Sequence, residues 1–140
     1  MAAEKTKPKE PLKIILDSNA LFVPLQFKID IFEELKTLLK ANFEPVLPLQ
    51  VRRELERLAE EGPPKMRKYA SYALKMAEKC KVIKVDDDAL SPDDAVINAA
   101  QKWKCPVFTN DKQLRKRLRD INVPIIYVRQ KSKLEIEGWI

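Results

Sequence analysis

The chain has 140 residues, 45% of them hydrophobic and 34% charged, with a net charge of +6 and a pI near 9.3, which suits one globular domain with a sizeable core. It holds no histidine, two glycines and two cysteines, which excludes a histidine base, a Ser-His-Asp triad, a zinc ribbon and the glycine-rich phosphate loops. No apolar run approaches the roughly 18 residues of a membrane span, and the basic balance favours a polyanionic partner.

The predicted elements alternate between strands and helices. Residues 1–11 are polar and lysine-rich, show no signal peptide, and are expected to form a disordered tail ahead of a single domain over 12–140. Lys13 to Leu16 reads as the first strand and ends in Asp17-Ser18-Asn19. Ile31, Leu35, Leu38 and Leu39 mark a helix over Ile31 to Ala41. A short strand centres on Val46 and Leu47. The next helix carries Val51, Leu55, Leu58 and Ala59 on one face and stops at Gly62-Pro63-Pro64. Met66 to Lys79 is a third helix, and Val82 to Val85 a third strand. Ser91 to Lys104 is a fourth helix, opened by Ser91 as cap and Pro92 at the first helical position. Val107-Phe108 is a fourth strand, Lys112 to Ile121 a fifth helix, and Ile125 to Val128 a fifth strand. Strands separated by helices imply right-handed crossovers and a mainly parallel sheet with helices on both faces.

Two of the strands end in acid-bearing turns, Asp17-Ser18-Asn19 and Thr109-Asn110-Asp111. The carboxyl ends of parallel strands are where α/β proteins bind ligands, and oxygen-only clusters suit Mg²⁺ or Mn²⁺. Glu54 lies beside the apolar stripe of its helix, where it can reach a cleft. Glu56 lies well away from the stripe and is expected at the surface near Arg52. Asp93 and Asp94 both fit the first turn of a capped helix on dipole grounds alone, and periodicity places Asp93 nearer the buried face.

The motifs Leu16-Asp17-Ser18-Asn19-Ala20-Leu21, Arg53-Glu54-Leu55, Asp93-Asp94-Ala95-Val96-Ile97-Asn98-Ala99-Ala100 and Thr109-Asn110-Asp111, in this order on a βα alternation, resemble the PIN-domain ribonucleases. Ser18 stands where that family usually has threonine. Phe27 to Leu35 and Tyr127 to Gln130 look closer to the PIN proteins of ribosomal RNA processing than to VapC-type toxins. The resemblance implies a three-layer α/β/α fold with a five-stranded sheet in the order 3-2-1-4-5. It also implies a metal-dependent endoribonuclease with Asp17, Glu54, Asp94 and Asp111 as catalytic residues. It selects Asp94 over Asp93, which stays a second candidate, so the candidate metal ligands are Asp17, Asp93, Asp94 and Asp111.

Phosphodiester hydrolysis needs an activated water and a stabilised leaving oxygen. Without histidine, a divalent ion is expected to serve both ends, with Glu54 completing its surroundings or orienting the water. Close carboxylates raise one another's pKa, so metal should bind with proton release. Asn19 and Thr109 are candidate substrate contacts. Lys112, Arg115, Lys116 and Arg119 recur at i, i+3, i+4 and i+7 beside Asp111, so Arg115 and Lys116 are expected to hold RNA phosphates. Leu114, Leu118 and Ile121 form the buried stripe of that helix. Arg52, Arg53, Lys65, Arg67 and Lys68 form a second, vaguer basic region, and Asp86-Asp87-Asp88 reads as a solvated loop.

The partners implied are RNA and either a second copy of the chain or a protein of ribosome assembly, with no membrane and a cytoplasmic location. Three alternatives remain open: a VapC-type toxin ribonuclease, an inactive RNA-binding scaffold, and a receiver-like phosphoacceptor to which Asp86 and Lys131 fit loosely. Cys80 and Cys105 precede strands three positions apart, about 14 Å at sheet spacing, and are expected to be free thiols.

Overall fold

The computed structural model describes residues 11–138, so the expected tail lies outside them apart from Pro11. Aliphatic residues in short runs make the strands. In β1 (Leu12–Leu16), Ile14, Ile15 and Leu16 are fully buried, as a strand covered on both faces requires. The chain then enters α1 (Ser18–Phe27), α2 (Ile31–Leu39), β2 (Phe43–Pro48), α3 (Leu49–Glu61), α4 (Pro64–Ala77) and β3 (Lys81–Ile83). It continues through α5 (Pro92–Trp103), β4 (Val107–Phe108), α6 (Lys112–Asp120), β5 (Ile125–Arg129) and β6 (Lys133–Glu137).

The sheet order is β3-β2-β1-β4-β5-β6. All neighbours are parallel except β5 and β6, which form an antiparallel hairpin. Helices cover both faces, giving the expected three-layer α/β/α architecture and the order 3-2-1-4-5. The chain builds outward from β1 on one side and then returns to add β4 on the other. This reversal makes β1 and β4 the topological switch point, where such sheets open a crevice at the strands' carboxyl ends. Register puts Leu16 beside Phe108, and the Asp17 amide donates to the Phe108 carbonyl at 3.1 Å. The two acid-bearing turns therefore leave neighbouring strands at the same level.

Two elements are absent from the sequence reading. Helix α1 buries Ala20, Leu21, Phe22 and Val23 in succession and contains Pro24. A helix buried on consecutive positions shows no one-sided stripe, and an internal proline argues against a helix. Strand β6 is the second. Its hairpin turn places Gln130 and Lys131 at φ 55° and 58°, without the Asn-Gly or Asp-Gly pair that announces such turns in a sequence. The last helix also stops one residue early. Ile121 lies beyond it and is 37% exposed, while Leu114 and Leu118 are fully buried.

Both cysteines are free. Burial pushes the Cys80 thiol up to about 12 and the Cys105 thiol up to about 11, which keeps both protonated and unreactive at neutral pH.

Candidate active site

The site is built on Asp17, the residue that follows β1. Its carboxylate caps α1 by accepting the Ser18 amide at 2.8 Å. The other oxygen accepts the Asn19 side-chain amide at 3.0 Å and the Thr109 hydroxyl at 2.9 Å. Asp17 is 3% exposed and Thr109 fully buried. The Thr109 hydroxyl also accepts the Asp111 amide at 3.1 Å, and the Asn19 carbonyl oxygen accepts the Asn110 amide at 2.9 Å. Asn110 in turn accepts the Val128 amide at 2.8 Å. The two acidic turns are thus one hydrogen-bonded unit. Asn19 and Thr109, expected to touch substrate, have their polar atoms turned inward to fix Asp17 and Asp111.

Burial raises the Asp17 pKa to about 6, against the Thr109 and Ser18 hydrogen bonds, with the charges of Asp93 and Asp111 adding to the rise. Glu54 reaches the same region from α3. Its pKa is raised by burial, opposed by Arg57, and raised further by Asp93. Asp93, in the first turn of α5, is raised by burial and by Asp111, with Arg117 opposing. Asp111 caps α6 through one oxygen, which accepts the Gln113 and Leu114 amides at 2.9 and 3.1 Å. Four carboxylates from four elements therefore share one electrostatic neighbourhood. Mutually perturbed acids in a crevice are a mark of functional sites.

The structure corrects the choice at the start of α5. Asp94 turns toward Arg117, whose guanidinium donates to it at 2.8 Å. That bond, with the Ser91 cap, lowers the Asp94 pKa despite some desolvation. Asp93, not Asp94, faces the other acids. The reason is helical rotation: consecutive residues diverge by about 100°, and the residue nearer the Ala95, Val96 and Ala99 core face points inward.

The donor set is all oxygen, which fits a hard divalent cation. Among the described residues, no three His, Cys, Asp or Glu side chains lie close enough together to hold one ion as a direct cage. A Mg²⁺ ion that keeps several waters needs only one or two carboxylates rather than such a cage. Burial is the main reason that Asp17, Glu54 and Asp93 are raised, and the neighbouring carboxylates add to it; a bound cation would offset that added repulsion.

Lys112, Arg115, Lys116 and Arg119 share one face of α6 and line an open recess there, but two of the four are engaged in ion pairs. Arg115 lies 4.1 Å over the Tyr127 ring and pairs with Glu137 at 3.6 Å. Arg119 pairs with the same Glu137 at 2.7 Å. Only Lys112 and Lys116 of the expected face are exposed without an ion pair among the described residues. Arg52 pairs with Glu56 at 3.3 Å, as expected. The aspartate loop is exposed but anchored, since Asp86 pairs with Lys102 at 3.1 Å and the Asp87 carbonyl accepts from Gln50.

Three contributors escaped sequence reasoning. Arg57 sits three residues after Glu54 on the same helix, a spacing that is visible in the sequence. Arg117 meets Asp94 across 23 positions and Asn110 meets Val128 across 18, and no local pattern announces either.

Comparison with known proteins agrees with this fold. The family profile described as a PIN like domain matches residues 14–131. The chain is 33% identical over 129 residues to Ribonuclease VapC4 of Methanocaldococcus jannaschii, a match spanning 91% of this chain and 98% of that protein. It is 32% identical to rRNA-processing protein fcf1 of Schizosaccharomyces pombe, spanning 93% of this chain and 65% of that longer protein. Among solved structures, one described as the PIN domain endonuclease Utp24 matches with a TM-score of 0.79 at 33% identity, covering 93% of this chain and 94% of that one.

Proposed function

The chain belongs to the PIN-like domain family, and from that premise we propose that it is a divalent-metal-dependent endoribonuclease that hydrolyses RNA phosphodiester bonds in ribosomal RNA processing. The observation that carries the reading is the meeting of Asp17, Glu54, Asp93 and Asp111 at the carboxyl ends of β1 and β4, with raised pKa values in three of them. Relatives named for rRNA processing support the biological setting.

Asp17, Asp93 and Asp111 would hold Mg²⁺ or Mn²⁺, directly or through water. When bound, the ion supplies Lewis-acid polarisation and a more acidic water. The chain's own residues do the rest. Thr109 and Asn19 hold Asp17 in one orientation by donating to the same carboxylate oxygen. Thr109 and Asn19 also accept the Asp111 and Asn110 amides, so the loop bearing Asp111 cannot drift from β1. Glu54, half-buried and raised by its surroundings, is suited to accept a proton from an attacking water. Arg57 and Arg53 flank it in an open recess that also includes Gln50, and they place positive charge where an RNA phosphate would approach.

The VapC relative, matched over nearly its whole length, supports a second reading, a toxin ribonuclease neutralised by a protein partner. The two share the chemistry and differ in substrate. The test is cleavage of single-stranded and structured RNA by purified protein with Mn²⁺ or Mg²⁺. Metal-dependent cleavage lost in Asp17→Asn is expected, and preference for a ribosomal precursor over transfer and messenger RNA separates the two settings. Cleavage that persists in Asp17→Asn would place the site elsewhere. Inactivity toward every RNA would leave an RNA-binding scaffold.

A further inference from the structure

Helices α1 and α4 pack against each other, and two open recesses follow one another along their seam. The first is lined by Phe22, Gln26, Met66 and Tyr69, the second by Pro24, Lys28, Tyr72 and Lys79. Each measures about 350–380 Å³, within the range that holds a small planar ligand. Tyr69 and Tyr72 are half-buried, and Tyr69 packs on Phe22 at 5.8 Å between ring centres. The floor is aromatic and firmly seated.

The surroundings are basic. Lys65 borders the first recess, and Lys28 and Lys79 border the second. Lys65, Lys68, Tyr72 and Lys75 follow at helical spacing along one face of α4, and Lys79 lies two residues past its end. Lys65, Lys68, Lys75 and Lys79 are exposed. None of them forms an ion pair among the described residues. Lys65 and Lys79 instead lie over aromatic rings, Tyr69 at 5.8 Å and Phe32 at 5.3 Å. Asp30 also borders the second recess, but its carboxylate is engaged as the cap of α2. Unpaired cations beside ring faces, spread over a helix of 14 residues or about 21 Å, match a flexible polyanion that carries flat apolar groups.

We propose that the α1–α4 seam binds single-stranded RNA, with Lys65, Lys68, Lys75 and Lys79 on successive phosphates and Tyr69 and Tyr72 as stacking platforms for bases. The inference rests on the ribonuclease reading for its choice of polyanion. It assigns the grip on RNA to α4, whereas the sequence reading assigns it to α6.

The test is fluorescence anisotropy with a labelled mixed-sequence single-stranded RNA and a labelled RNA duplex, in EDTA so that binding is measured without cleavage. Lys68→Glu/Lys75→Glu is expected to weaken single-strand binding on the order of tenfold or more and to flatten the log–log salt dependence by about 1.4, or 0.7 per lost phosphate contact. Lys68→Ala/Lys75→Ala, which keeps a good helix former at both positions, should show the same flattening and guards against misfolding of the charge-reversed protein. Tyr72→Leu should keep the packing but weaken single-strand binding by about 5- to 150-fold, the range of a lost base–aromatic stack, and leave duplex binding unchanged.

Unchanged affinity and salt slope in the folded lysine variants would overturn the proposal and leave the seam to a protein partner. No RNA binding by the unmodified protein at low salt would also overturn it. A protein that binds through α4 but cleaves nothing would refute the nuclease reading alone.

Discussion

Helices α4 and α6 look alike in the sequence. Each is short, amphipathic and rich in lysine and arginine, and each packs through small or aliphatic residues: Ala70, Ala73 and Ala77 in α4, Leu114 and Leu118 in α6. Their charges meet different fates. In α6, Arg115 and Arg119 converge on Glu137 of β6, and Arg117 reaches Asp94 of α5. In α4, the lysines of the exposed stripe have no carboxylate within ion-pair distance among the described residues. The lesson is that the number of cations on a helix does not give the charge available to a ligand. The neighbouring element decides it, and for α6 that element is a hairpin strand contributed by the end of the described chain.

The largest expected effect separates chemistry from grip. Asp17→Asn, or EDTA with the unmodified protein, should reduce RNA cleavage below detection in a gel assay while RNA affinity holds. If affinity falls with activity, the contrast between the helices is beside the point, because the acidic site itself would be holding the RNA through its metal.

The same substitution carries a stability consequence. Asp17 titrates near 6 in the folded protein against 3.8 for an ordinary aspartate. A raised acid contributes stability that is fully present below pH 3.8 and is lost as the pH rises through about 6. In EDTA at pH 7, Asp17→Asn should therefore stabilise the protein by about 1–3 kcal/mol, the upper figure being the full pKa difference and the lower allowing for impaired hydrogen bonds. At pH 4 most of the gain should disappear. Urea denaturation at the two pH values would measure it, and an equal effect at both would refute the ionised, buried carboxylate.

The two aspartates of α5 test which charges belong to the site and which to α6. Asp93→Asn should lower cleavage by about 10- to 100-fold, as for groups that support a metal. Asp94→Asn should stay within about twofold, as for a surface substitution, while releasing Arg117. The reverse ranking would restore Asp94 as the ligand.

The smallest effect bears directly on the helices. Glu137→Gln frees Arg115 and Arg119, and should strengthen RNA binding by about two- to fivefold at low salt, with a steeper salt slope and little change in stability. No gain in affinity would mean that α6 faces away from the RNA path altogether, which sharpens the case for α4.

Much of the architecture was legible because it is local. Short aliphatic runs, a Ser91-Pro92 helix start and acids at strand ends are each written in a few adjacent residues, and their alternation admits few topologies. Asp17 and Asp111 could be paired in advance through the resemblance, because adjacent parallel strands deliver their following turns to the same level. Helix α1 was hidden because burial at four consecutive positions, Ala20 to Val23, erases periodicity, and β6 because its turn lacks the residues that announce one.

The sequence by itself determined the order of most elements, the acids available at the carboxyl end of the sheet, and the absence of any histidine chemistry. Periodicity already placed Asp93 nearer the buried face, and only the tertiary structure shows Asp94 turned to Arg117, 23 positions away. Tertiary structure alone brings Thr109 and Asn19 onto the same oxygen of Asp17. It alone brings Glu137 to Arg115 and Arg119 of α6 while the α4 lysines meet no carboxylate among the described residues. These outcomes depend on pairs of residues distant in the chain, and such pairs exist only once packing has brought their elements together.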